Sequence, residues 1–167
     1  VVSIIELVRI PEDREPVLIG KNGSVKKKME AMTRTEIEVS EGVKITGDDP
    51  LLVLKARDMV TAIGRGFSPG EAERLAEDEC EFHVVSLQGE TLKKRTRMLG
   101  RVIGNAGRTK KIIERETGAC VAVKGKTVSV IGTPEELAPA EEALGELLGG
   151  KTHAHAYSMM RRRITKS

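Results

Sequence analysis

Apolar and polar positions alternate along this chain in an order that appears twice. Residues 1–10 (VVSIIELVRI) are apolar and partly alternating, which predicts a strand. Glu15–Ile19 predicts a short helical turn that runs into Gly20-Lys21-Asn22-Gly23, and Ser24 is placed to cap a helix reaching about Met32. Ile37 and Val39, then Val43 and Ile45, alternate as two short strands. Asp49 before Pro50 is a cap and first-turn pair for a helix through Ile63, with Gly64 and Gly66 ending it. Ser68-Pro69-Gly70-Glu71 has the spacing of a capping box and opens a short acidic helix.

From Glu81 the order starts again. Phe82, Val84, Val85 and Leu87 mark a strand, Thr91–Ile103 a helix, Gly104-Asn105-Ala106-Gly107 a turn, and Arg108–Glu116 a second helix. Val121–Val123 and Thr127–Ile131 follow as strands. Thr133-Pro134-Glu135-Glu136 opens a last helix that Pro139 is expected to kink. In Lys151–Ser167, Ala154, Tyr157, Met160 and Ile164 stand at near-helical spacing beside Arg161-Arg162-Arg163.

A shift of 84 positions superposes the two halves, with eight identities in the 21 positions 19–39. They include Ile19 on Ile103, Gly20 on Gly104, Gly23 on Gly107, Lys26 on Lys110, Lys27 on Lys111 and Glu30 on Glu114. Two tandem copies of one strand–helix–helix–strand–strand–helix unit follow.

Composition narrows the chemistry. Only Phe67, Phe82 and Tyr157 are aromatic, too few for a sheet that stacks bases, so a nucleic-acid site here must use backbone, cations and aliphatic surface. The net charge of +3 conceals polarity along the 167 residues: 1–66 are neutral, 67–90 carry −6, 91–149 carry +4, and 150–167 hold five basic residues and no acidic one. Thr91–Arg115 concentrates nine Lys and Arg against Glu114 alone, a density suited to a polyanion.

The glycine turns carry the functional signal. Glycine permits a tight turn and keeps side chains away from an approaching phosphate, and the next helix presents amides and its positive dipole end. Lys26, Lys27 and Lys28 in one copy, and Arg108, Lys110 and Lys111 in the other, occupy opening helical turns where cations are unfavourable without an anion. Both turns are therefore read as grips on the sugar-phosphate of a single strand, RNA or DNA. The candidate contacts are Gly20, Lys21, Asn22, Gly23, Lys26 and Lys27, then Arg101, Gly104, Asn105, Ala106, Gly107, Arg108, Lys110 and Lys111. Arg161, Arg162 and Arg163 are added as either an extra phosphate clamp or a solubilising tail. Gly20→Asp and Gly104→Asp are expected to weaken binding while leaving the fold largely intact.

Leu18-Ile19-Gly20-Lys21-Asn22-Gly23 and Val102-Ile103-Gly104-Asn105-Ala106-Gly107 resemble the signature of type I KH domains. Gly66-Phe67-Ser68-Pro69-Gly70-Glu71-Ala72, the segment from Gly125 to Gly132, and Tyr157 before an arginine run resemble the archaeal form of one tandem-KH ribosome-assembly family, called Dim-two or partner-of-Nob-one. The resemblance implies an α+β fold of two KH domains, each βααββα with a three-stranded sheet on helices. Residues 1–66 would be the first domain, 67–79 an acidic connector, 80–150 the second domain and 151–167 a basic tail. It also implies binding near the 3′ end of small-subunit rRNA and cooperation with the endonuclease that trims it. One departure stands out: the second turn carries Asn105 and Ala106 where such loops usually hold a cation.

Other chemistry finds little support. No Walker loop, dinucleotide fingerprint or catalytic constellation is present, so no enzyme activity and no cofactor are expected, and a general mRNA adaptor or a nuclease remain the competing readings. His153 and His155 lack the further ligands a metal site needs. Cys80 and Cys120 suggest no disulfide framework. No apolar run reaches membrane-spanning length and the first residues do not resemble a signal peptide, so a cytoplasmic protein without a membrane partner is expected.

Overall fold

The computed structural model describes residues 2–166; Val1 and Ser167, assigned above to the first strand and the tail, lie outside them. Two compact units divide between Asp78 and Glu79. The first contains β1 (Ile4–Val8), α1 (Glu15–Ile19), α2 (Ser24–Thr33), β2 (Thr35–Ser40), β3 (Gly42–Gly47), α3 (Pro50–Gly64) and α4 (Pro69–Glu73). The second contains β4 (Glu81–Ser86), α5 (Leu92–Ile103), α6 (Arg108–Thr117), β5 (Cys120–Lys124), β6 (Thr127–Gly132), α7 (Pro134–Leu148) and α8 (His153–Lys166). Each unit has an antiparallel three-stranded sheet, ordered β1-β3-β2 and β4-β6-β5.

Alternation decides which sheet face is buried. In the first unit Ile37, Val43 and Ile45 turn inward, while Glu36, Glu38 and Lys44 stay in water. Leu18, Met29, Val53, Met59, Val60 and Ile63 are also fully buried. Asp49 caps α3 by accepting from the Leu51 and Leu52 amides, and Ser68 closes a complete capping box with Glu71. The stretch read as a connector lies against α3: Phe67 is fully buried, and Arg14 donates to the carbonyls of Ile63 and Phe67, each at 2.7 Å. Lys28 reaches Glu73 at 2.9 Å and Lys55 reaches the Ala76 carbonyl at 2.9 Å.

Several local expectations need correction. The strand expected over 1–10 covers only Ile4–Val8. Ser24 is not a cap, because it already has helical dihedrals; Gly23 holds the N-cap position in left-handed backbone. Gly64 is the last residue of α3 and Gly66 follows it at φ 104°, as expected, but Gly64 is also a close approach, since a Cβ there would meet Ile10 Cγ2 at 2.6 Å. α7 runs continuously through Pro139, which is buried. In α8 the inward residues are Ala156 and Met160, with Tyr157 and Ile164 partly buried against the same core, whereas Ala154 is exposed.

In the second unit Val102, Ile113, Val121, Val128, Leu144 and Leu147 form the core that α8 completes. His83 on β4 is held by the Glu141 carboxylate of α7, with Glu81 at 3.5 Å. Hydrogen bonding to Glu141, ahead of the opposing effect of burial, raises the His83 pKa, and Glu81 adds to the rise. A raised folded-state pKa stabilises fully below the unfolded value, about 6.5, and that contribution disappears as pH climbs through the folded value. Thermal melts from about pH 6 to about pH 8 should therefore show a fall in melting temperature that His83→Gln reduces; equal slopes would remove His83 as the source.

Gly64→Ala supplies a test of sign. Exchanging an ordinary helical glycine for alanine stabilises by about 1 kcal/mol. Here the close approach of Ile10 makes overpacking dominate, with a net loss of about 1–3 kcal/mol in denaturant titrations.

Candidate nucleic-acid interface

The two glycine turns superpose in backbone conformation. Gly20 has φ 73° and ψ 177°, and Gly104 has φ 76° and ψ 175°. Asn22 and Ala106 follow at φ 56° and 54°, then Gly23 and Gly107 at φ 74° and 73°. The first glycine occupies a region open essentially to glycine alone. The middle residue is left-handed, a conformation that asparagine tolerates and alanine resists by about 1–2 kcal/mol.

The two glycines of each turn do different work. A Cβ on Gly20 would lie 2.4 Å from Val25 Cγ2, and one on Gly104 would lie 2.1 Å from Thr109 Oγ1. The first glycine thus lets the turn close against its own helix. A Cβ on Gly107 would meet nothing within 4 Å, and one on Gly23 would meet only Lys27 Cε, at 3.7 Å. The second glycine leaves the backbone open to an approaching ligand. The expectation that Gly20→Asp and Gly104→Asp spare the fold is therefore overturned by forbidden dihedrals and by collision with the next helix.

The cations separate into two groups. Lys26 pairs with Glu30 at 3.3 Å and donates to the Ile37 carbonyl at 3.0 Å, while Glu30 accepts from the Ile37 amide at 2.9 Å. In the second unit Lys110 pairs with Glu114 at 3.0 Å, and Glu114 accepts from the Val121 amide at 3.0 Å. Both lysines thus belong to a joint between helix and strand. Arg101 is also engaged, its Nε donating to the Leu147 carbonyl at 3.0 Å. Arg161 makes a two-pronged bond to Glu116 at 2.8 and 2.9 Å, which holds the Glu116 pKa below the usual carboxylate range. Arg163 lines a hollow with Glu81, Glu141 and Glu142, and Arg162 is exposed. Lys21, Lys27, Arg108 and Lys111 are exposed around the turns, joined by Asn22, Asn105 and Ala106.

The edge strands beside the loop-bearing helices differ in charge. β2 and the bend after it present Glu36, Glu38 and Glu41, all exposed. The corresponding positions of the second unit are Cys120, Ala122 and Gly125, followed by Lys126. Tyr157, Arg97 and His153, not among the predicted contacts, stand beside the second turn. Tyr157 ahead of the arginine run was the visible signal for them.

Among the described residues no group of three or more His, Cys, Asp or Glu is arranged to hold a metal, and Cys80 and Cys120 are not joined in a disulfide. No helix of those residues is long and apolar enough to cross a membrane. Gly20→Ala or Gly104→Ala should cost at least about 1–3 kcal/mol of stability from the dihedral alone. Changing Lys21 and Asn22 together to Asp should leave the melting temperature within a degree or two, since left-handed backbone accepts Asp. Thermal unfolding of these variants checks both outcomes.

Residues 81–165 match the family model described as eukaryotic type KH-domain (KH-domain type I), in its form for the second domain of PNO1, and residues 4–62 match the KH domain model. A KH domain-containing protein of Methanocaldococcus jannaschii is 42% identical over 170 residues, covering 97% of this chain and 75% of that protein. Crystallised Dim2p from Pyrococcus horikoshii is 43% identical with a TM-score of 0.87, over 95% of this chain and 99% of that one. Dim2p in the a/eIF2alpha–aDim2p–rRNA complex from the same organism is 42% identical with a TM-score of 0.91, over 99% and 96%. A protein of unknown function from Aeropyrum pernix is 30% identical with a TM-score of 0.91, over 99% and 93%. With KH matches over residues 4–62 and 81–165 and relatives more than 40% identical along nearly the whole chain, the chain belongs to the RNA-binding tandem-KH family of archaeal Dim2p, the homologue of PNO1.

Proposed function

We propose that this protein is a non-catalytic, cytoplasmic small-subunit ribosome-assembly factor that grips single-stranded rRNA near its 3′ end, chiefly with its second unit. The observation that carries this reading is the Gly104–Gly107 turn, which combines an open backbone at Gly107 with exposed Arg108 and Lys111 and a neighbouring strand without carboxylates. The relative in complex with rRNA and a/eIF2alpha supports rRNA as the ligand class and a translation-factor subunit as a protein partner. The endonuclease that trims the rRNA 3′ end is proposed as a further partner from family resemblance.

At the first turn, Lys21 and Lys27 supply local attraction, but Glu36, Glu38 and Glu41 oppose a phosphate chain on the adjoining strand. Gly20 and Gly104 act by shaping the turns, and Lys26, Lys110 and Arg101 by holding the walls. Arg162 is the member of the arginine run best placed to meet solvent-borne phosphate, because Arg161 is bound to Glu116.

Titration against an rRNA 3′-end oligonucleotide tests the reading. Asn105→Asp with Ala106→Asp should lower affinity by about tenfold or more, roughly 1.4 kcal/mol, and Lys21→Asp with Asn22→Asp should lower it less. A larger loss from the first-unit pair would reverse the assignment. With about four phosphates neutralised, affinity should fall roughly fifty-fold between about 50 and 200 mM salt, and duplex should bind far more weakly. RNA left uncleaved with magnesium supports the non-catalytic reading, and equal affinity for unrelated mRNA fragments would favour a general adaptor.

A further inference from the structure

The second unit has a feature that its twin lacks. α8 lies beside α6 with His153, Tyr157 and Arg161 spaced one turn apart; His153 reaches the end of α5, and Tyr157 and Arg161 reach α6. His153 Nε2 lies 3.0 Å from the Arg101 carbonyl. The Tyr157 hydroxyl lies 3.3 Å from Thr109 Oγ1, the atom against which the Gly104 turn closes. The Arg161 guanidinium stands 5.7 Å from the Tyr157 ring centre while it binds Glu116.

Between α5, the turn, the start of α6 and α8 lies an open hollow of about 440 Å³, lined by Arg97, Arg101, Arg108, Asn105, His153 and Tyr157 among others. That volume falls within the range of about 300–1,000 Å³ typical of small-ligand sites. No Asp or Glu lines it. Arg97 and Arg108 are exposed, and Arg101 keeps a buried Nη2 without a hydrogen-bond partner among the described residues. The 84-residue repeat places Asp13, Val17 and Ser24 where Arg97, Arg101 and Arg108 stand. The cationic lining therefore belongs to the second unit and not to the shared scaffold.

We propose that this hollow is an additional RNA subsite, which receives one nucleotide flanking the stretch held at the Gly104–Gly107 turn. Its phosphate is met by Arg97 and Arg108, and its base lies against Tyr157. The proposal rests on the reading that the second unit grips single-stranded RNA. Guanidinium groups facing an aromatic ring fit a phosphodiester with its base, because cations track the backbone while a ring face accepts any base. Tyr157 is held by its hydrogen bond to Thr109 and its contact with Arg161, so it can offer its surface without first being ordered.

Tyr157 is the only tyrosine and the chain has no tryptophan, so intrinsic fluorescence reports on the hollow directly. The full chain would be titrated with the rRNA 3′-end oligonucleotide and with a nested series trimmed from either end down to about four nucleotides, the number a KH loop clamps. Longer members should quench Tyr157 and bind about tenfold more tightly than the shortest, in line with one added stacked base. Arg97→Glu, an exposed change, should remove about that tenfold advantage while leaving affinity for the shortest member unaltered. Tyr157→Leu, which keeps apolar bulk in α8, should do the same. The proposal is overturned if Arg97→Glu weakens short and long strands equally, or if long strands bind without altering Tyr157 emission. Asn105→Asp with Ala106→Asp should weaken every member. Wild-type affinity in that variant would instead refute the parent reading of the turn.

Discussion

The carboxylate at the end of each loop-bearing helix is the tie on which the rest of each unit depends. Glu30 accepts the Ile37 amide and Glu114 the Val121 amide, and each is neutralised by a lysine one helical turn earlier. The bond joins the helix that starts at the glycine turn to the edge strand that runs beside it. An unmade bond there would leave a part-buried amide unsatisfied at a cost of about 1–3 kcal/mol. It would also free the helix to slide, so the tie sets the separation of the two walls as well as their stability. The glycine turn closes against a helix that is already fixed in place.

Much of this architecture was legible because local rules agreed with one another. Asp49 before Pro50, the Ser68–Glu71 box and the Thr133–Glu136 box each begin a helix where their spacing indicates. Alternation marked the strands, and the internal repeat marked the doubling. Long-range contacts were harder to see. Gly64 was read only as a helix terminator, and nothing in the linear pattern shows Ile10 packed against it. Lys26 and Lys110 were read as phosphate ligands because their glutamate and strand partners are not visible in the linear pattern. The identities at 26/110 and 30/114 were correctly read as a repeat, but they record a mechanical joint. Arg161 was similarly indistinguishable from Arg162 and Arg163 until Glu116 was seen facing it.

Once that joint is set apart, the two units are one scaffold carrying different electrostatics. The backbone of the first turn offers the same shape as the second, with Lys21 inside it, yet carboxylates line its neighbouring strand. The second turn has no cation between its glycines, but arginines surround it and a helix without counterpart backs it. Nearby charge on the walls matters more than one exposed lysine, whose isolated pair would contribute about 1 kcal/mol or less. On the proposed reading, the acidic strand of the first unit opposes a polyanion there.

Agreement of the two turns to within a few degrees makes them interchangeable cassettes. Gly-Lys-Asn-Gly and Gly-Asn-Ala-Gly are two fillings of one mould, since every demanding dihedral falls on a glycine or on the single left-handed residue between them. Selection acting on the middle residues can thus retune one copy without reshaping it, and an exchange tried in one half has already been proofed in the other. The charge around the two turns differs while the geometry that shapes them does not.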